Sequence, residues 1–71
     1  MSDIKKVQIK EDYINLGQFL KIVDLVSSGG ETKSFLSLNK IFINKEEDNR
    51  RGRKLYKGDL IEVNSQVYEI C

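Results

Sequence analysis

The feature that most limits what this chain can become is Ser27-Ser28-Gly29-Gly30, where one helical pattern ends and another begins within four residues. Upstream, Leu16, Phe19, Leu20 and Val23 recur at the spacing of one helix face, and Asn15 with Gln18 three residues later has the form of a capping box. These signals predict a first helix over about 16–26, ended by a glycine that takes the left-handed conformation cheaply. Ser28 and Glu31 make the next capping box, and Thr32, Phe35 and Leu36 fall on one face of a short second helix. Asn39 is suited to end it, because asparagine visits the left-handed region more readily than other non-glycine residues. Two helices must therefore meet at a tight corner.

The flanks read as strand. Lys5 to Lys10 alternates, with Val7 and Ile9 on one side and Lys6, Gln8 and Lys10 on the other, which predicts an edge strand at roughly 5–10. Ile41-Phe42-Ile43 is strongly strand-forming and is followed by a polar loop from Asn44 to Asn49. Lys57-Gly58-Asp59 reads as a turn, and Asn64-Ser65 as the closure of a hairpin between Ile61-Glu62-Val63 and Gln66-Val67-Tyr68. The order is β-α-α-β-β-β, an α+β arrangement with its helices grouped together. With 71 residues, no proline and no repeat, the expectation is one domain over 1–71, since a chain this short buries only roughly 60% of its unfolded surface.

Composition removes several kinds of chemistry. There is no histidine and one cysteine, Cys71, so a Cys/His zinc site, a histidine-based triad and an internal disulfide are excluded. Glu46-Glu47-Asp48 reads as solvated charge, and Ser28-Gly29-Gly30 lacks the Lys-Ser/Thr of a phosphate-binding loop. The expectation is a protein that is not an enzyme and uses no cofactor and no metal. No apolar run is long enough for a membrane span and the first ten residues are too polar for a signal peptide, which points to the cytoplasm and to no membrane partner.

What remains is charge. Arg50, Arg51, Arg53, Lys54 and Lys57 stand within eight positions that hold no acid, while the net charge of the whole chain is +1. The other 63 residues therefore sum to −4, and the cationic character is local. A structural explanation would have to fold Glu46-Glu47-Asp48 back onto the arginines. A binding explanation rests on arginine outnumbering lysine three to two, because the guanidinium fork meets phosphate at two points, and on Gly52, which lets backbone approach a ligand closely. Nucleic acid is the partner that such a segment suits.

The pattern resembles the small RNA-binding domain named after ribosomal small-subunit protein four, the S-four domain. The similarity is carried by Leu16, Phe19, Leu20, Ser28, Thr32, Phe35, Leu36 and Ile41-Phe42-Ile43-Asn44, then by Leu55 and Gly58-Asp59-Leu60-Ile61-Glu62-Val63. The motif core spans about 14–63. LGQFLK, the SGG corner with Lys33, and RRGRKL followed by GD are similar to the stand-alone bacterial YaaA and YbcJ subfamily. The resemblance implies two short helices packed on a small antiparallel sheet, the alpha-L RNA-binding motif. It also implies a non-catalytic, monomeric module that binds structured RNA, rRNA or tRNA, with a ribosomal or assembly-factor protein as a further partner. The RNA-binding residues it points to are Arg50, Arg51, Arg53, Lys54 and Lys57, extended by Lys21 and Lys33, with Gln18 and Ser28 as neutral hydrogen-bonding groups. Two departures matter. Gly29 stands where many members have arginine, so Lys33 and the 50–57 segment must supply that contact; Lys45 stands where many have glycine, and adds a cation. Tyr56 can stack on an unpaired base or pack on the domain. The alternative reading is a protein-interaction module that docks on an acidic partner in a ribosome-assembly or replication complex.

Overall fold

The computed structural model describes residues 3–71, so Met1 and Ser2 of the expected domain lie outside the described residues. The elements in order are β1 (Lys5–Val7), β2 (Tyr13–Asn15), α1 (Leu16–Ile22), α2 (Gly29–Leu38), β3 (Ile41–Ile43), β4 (Glu46–Glu47), β5 (Lys54–Tyr56), β6 (Leu60–Val63) and β7 (Gln66–Ile70). Five strands form one sheet in the order β1-β7-β6-β3-β4, and β2 pairs with β5 in a separate antiparallel ribbon. The α+β class holds, but the sheet is mixed. β1 is the expected edge strand and runs parallel to β7, with Lys5 opposite Tyr68 and Val7 opposite Ile70. Beyond it, Ile9 N–H donates to the Cys71 carbonyl at 2.9 Å, which carries the pairing past the short strand.

The core is built from the apolar positions that both periodicities select. Leu16, Phe19 and Leu20 of α1 are fully buried, as are Ile41, Ile43, Leu55, Ile61 and Ile70 from the strands. Tyr68 closes this layer edge-on to Phe19, with ring centroids 5.2 Å apart. Leu55, fully buried, anchors the basic stretch to this core.

α1 is shorter than the predicted 16–26, and glycine does not end it. Asp24 takes the left-handed conformation at φ 64°, Asp24 N–H donates to the Lys21 carbonyl and Leu25 N–H to the Leu20 carbonyl. This is a Schellman motif with aspartate in the glycine position, and it turns the chain five residues before Gly29. Gly29 and Gly30 instead occupy the first turn of α2, capped by Ser28, whose Oγ accepts from Glu31 N–H at 3.4 Å. The Glu31 carboxylate reaches Ser27 N–H rather than closing on Ser28. The full reciprocal box forms at α1, where Gln18 N–H donates to Asn15 Oδ1 and Asn15 N–H to Gln18 Oε1. Asn39 does end α2, yet in an extended conformation at φ −130°; its Nδ2 and backbone N–H both donate to the Phe35 carbonyl.

Three strands lie where none was expected: β2, β4 and β5. β4 interrupts the predicted polar loop, because Asn44 and Lys45, at φ 51° and 73°, make a two-residue turn that folds the glutamates back onto β3. Positive φ at both central residues is the type I′ geometry that matches strand twist. Asn64 and Ser65 repeat it, at φ 51° and 68°, in the expected β6–β7 hairpin.

Lys45 thus sits where glycine is at ease. Lys45→Gly relieves a left-handed β-carbon at the cost of a more flexible unfolded chain, a net gain of about 0.5–1 kcal/mol. In thermal unfolding this should raise Tm by roughly 2–8 °C, and an unchanged or lower Tm would contradict the strain.

Candidate nucleic-acid interface

Helix α1 begins with backbone N–H groups that have no partner inside the helix. Here two of them are taken by the basic segment itself: Leu16 N–H donates to the Arg53 carbonyl at 2.8 Å and Gly17 N–H to the Arg51 carbonyl at 2.9 Å. The loop is closed by Arg53 N–H on the Arg50 carbonyl at 3.0 Å and pinned by buried Leu55. The main chain of the basic segment is therefore fixed against the start of α1.

That docking places Arg51 between two concavities. One, of about 280 Å³, is lined by Asn15, Gly17, Gln18, Lys21, Gly29, Thr32, Arg51 and Gly52; its neighbour, of about 320 Å³, by Lys33, Leu36, Ser37, Asn49 and Arg51. The structure so brings together Gln18, Lys21, Lys33 and Arg51 from the predicted set. Gly29, the position that departs from the family arginine, opens into the same groove as Arg51. The first turn of α2 faces it there, with the partial positive charge of a helix N-terminus. Ser28 is exposed, but its oxygen is committed to the α2 cap, and Gln18 Oε1 is likewise held by Asn15.

Arg50 and Arg53 are differently placed. Asp48 accepts from Arg50 Nε at 3.1 Å, Arg50 Nη2 at 2.9 Å, Arg50 backbone N–H at 3.0 Å and Arg53 Nη1 at 2.9 Å. The Asp48 side chain is only 10% exposed, against 72% for Arg50. The Arg50 hydrogen bonds above all, helped by Arg53 and opposed by burial, hold the Asp48 carboxyl well below the usual carboxylate range. The same contact raises the Arg50 guanidinium pKa. One acid from the supposed solvated run thus folds back onto two of the arginines, while Glu46 and Glu47 remain exposed on β4. Residue type alone did not separate Asp48 from its neighbours; the signal is its place two residues before Arg50, within reach of an Asx-type turn.

Lys45 and Lys57 are not part of this assembly. Asp48 N–H donates to the carbonyl of Ile41 at the start of β3, whereas Lys45 follows its end. There Asn44 Nδ2 donates to Asp59 Oδ1 and Leu60 N–H to Asn44 Oδ1, so the Lys45 turn and the Lys57-Gly58-Asp59 turn lie side by side at the opposite end of the strand. Lys54, on β5, lies with its ammonium 4.9 Å from the centroid of the Tyr13 ring. Sequence reasoning missed Asn15, Thr32, Ser37 and Asn49 as groove-lining polar groups, since they come from the cap of α1, from α2 and from the basic loop, and only the fold assembles them. Among the described residues, no group of three or more potential metal ligands occurs, and no helix is long and apolar enough to cross a membrane.

The Asp48 contacts predict an acid limb in stability. A carboxylate with a depressed folded pKa stabilises the fold fully above the unfolded value, near 3.9, and ceases to do so as pH falls below it. Asp48→Asn should cost about 1–2 kcal/mol at neutral pH and flatten the loss between roughly pH 4 and 2, measured by urea unfolding. Parallel pH profiles for the two proteins would show that Asp48 does not carry this limb.

Two comparisons with known proteins bear on this geometry. A model of the family described as the S4 domain matches residues 7–71. A Bacillus subtilis (strain 168) protein named "Probable ribosome maturation protein RlbA" is 53% identical over 57 residues, which cover 80% of this chain and 80% of that protein. The family match over residues 7–71 spans both helices, the basic segment and the closing hairpin, and so takes in every element that builds the groove. The chain belongs to the S4 domain family.

Proposed function

We propose that this protein is a non-catalytic RNA-binding module that recognises structured ribosomal RNA by phosphates and shape during ribosome maturation in the cytoplasm. The observation that carries this reading is the position of Arg51 between two adjoining concavities that also hold Lys21 and Lys33. No ion pair engages these three cations among the described residues, whereas Arg50 and Arg53 share Asp48. Arg51 and Gly29 line one groove, so the guanidinium supplies the charge that the glycine does not. A single copy of the chain provides the whole site, in keeping with a monomer.

A-form RNA has a major groove too deep and narrow for side chains, so phosphates and 2′-hydroxyls are the accessible groups. Arg51, Lys21 and Lys33 take the central phosphates. Arg50, Arg53 and Lys54 extend the path along β5, with Asp48 holding the first two guanidinium groups in place at some loss of net charge. Lys45 and Lys57 stand at the far end of β3 and lie outside this central site. Asn15, Gln18 and Asn49 line it and offer neutral hydrogen-bonding groups, whereas Ser28 caps α2 and borders a different hollow. Family membership supports RNA as the ligand class, and the name of the Bacillus subtilis relative supports a ribosomal context.

Filter binding to a structured rRNA fragment at several salt concentrations tests the proposal. With about five phosphates engaged, log K against log salt should fall with a slope near −3.5 to −4.5. Arg51→Ala with Lys33→Ala should weaken binding across RNA sequences and make the slope shallower by about 1.5, with the circular dichroism spectrum unchanged. A flat salt titration, or full affinity in the double variant, refutes the site. Co-purification of an acidic protein that survives ribonuclease, without nucleic acid, would favour the interaction-module alternative.

A further inference from the structure

We propose that the β2–β5 ribbon carries a separate site for an unpaired nucleobase, with Tyr56 as its stacking surface, so that the RNA bound in the Arg51 groove continues into a single-stranded segment. This rests on the RNA-binding reading above and specifies the kind of RNA.

The alternation of the ribbon creates the site. In its register Tyr13 stands opposite Tyr56, Ile14 opposite Leu55 and Asn15 opposite Lys54. Ile14 and Leu55 are 3% and 0% exposed and face the core, so the pairs on either side of them are turned outward. Tyr13 and Tyr56 are accordingly 43% and 48% exposed, with ring centroids 5.5 Å apart and planes tilted by 46°. Cross-strand aromatic packing explains why the rings meet, but it leaves half of each in water. The two rings are not equivalent. Lys54, diagonal to Tyr13, lies with its ammonium 4.9 Å from the centroid of that ring and caps one face of it. Among the described residues no cation lies over Tyr56, which is the ring left for a ligand.

Beside Tyr56 lies a hollow of about 480 Å³ lined by Arg50, Gly52, Arg53, Lys54 and Tyr56. An aromatic face next to two guanidinium groups and an ammonium suits the two halves of a nucleotide, base on the ring and phosphate on the cations. Asp48 holds the guanidinium groups of Arg50 and Arg53, two of the residues that line this hollow. The same main chain joins it to the first site, since Gly52 borders this hollow and, with Arg51, the groove at α1. A strand leaving the groove past Gly52 meets Tyr56 next. Bases in a duplex are stacked on one another, so only an unpaired residue can use the ring.

The test compares two RNA hairpins with the same stem, one blunt and one with a four-nucleotide single-stranded 3′ extension. A third RNA carries an extension of the same length made of abasic nucleotides, which holds the phosphate count constant. The extended RNA should bind roughly 5- to 150-fold more tightly than the abasic form, the range that stacking of one base supplies. Tyr56→Thr, which keeps strand propensity, should erase that advantage while leaving blunt-hairpin affinity and its salt slope unchanged. Tyr56→Phe should retain it. Equal binding of the extended and abasic RNAs, or equal losses on all three RNAs in Tyr56→Thr, overturns the stacking site and leaves the Arg51 groove standing. Failure of every RNA to bind the wild-type protein overturns both.

Discussion

Two backbone hydrogen bonds at the start of α1 hold the functional part of the molecule together. The N–H groups of Leu16 and Gly17 would otherwise be orphaned at a helix end, and the carbonyls of Arg53 and Arg51 receive them at 2.8 and 2.9 Å. A helix N-terminus is a partially positive place, and one expects a run of arginines to avoid it. The contradiction disappears because the loop presents its carbonyls to the helix. The contact uses main-chain carbonyls alone, and so it fixes the backbone of the segment without engaging a guanidinium group.

Charge within the segment is then sorted by position. Asp48, itself largely buried, gathers the more exposed Arg50 and Arg53 into one cluster, which lowers the net charge of the three to +1 and restrains both guanidinium groups. Arg51, between them in the chain, escapes to the groove between the helices. Lys57 is carried by its turn to the other end of β3, beside Lys45. With Lys54 beside the Tyr13 ring, a sequence run of five cations is thus four separate features in space. The central site draws instead on Lys21 and Lys33, which stand 30 and 18 residues away from Arg51 in the chain.

Several expectations failed for identifiable physical reasons. The end of α1 was assigned to glycine on propensity, but aspartate at position 24 adopts the left-handed conformation within a hydrogen-bonded Schellman turn, and the glycines fall into α2. β2, β4 and β5 are two or three residues long and carry Tyr-Ile-Asn, Glu-Glu and Lys-Leu-Tyr, too short for any periodicity to register. They exist because other strands and turns present partners to them. The parallel pairing of β1 with β7 joins segments more than sixty residues apart, and nothing local distinguishes it from an antiparallel edge.

The two helices and their corner, the buried faces, the β6–β7 hairpin and the family to which the chain belongs are legible in the amino-acid sequence. All of these rest on local signals: apolar spacing, caps and turn residues act over a few positions, and the family motifs are local too. Which cations stand together, which acid binds them, and the exposed ribbon face that Tyr13 and Tyr56 share come from the folded arrangement. Those outcomes depend on hydrogen bonds and strand registers between distant segments, and elements two or three residues long take their conformation from the partner they meet.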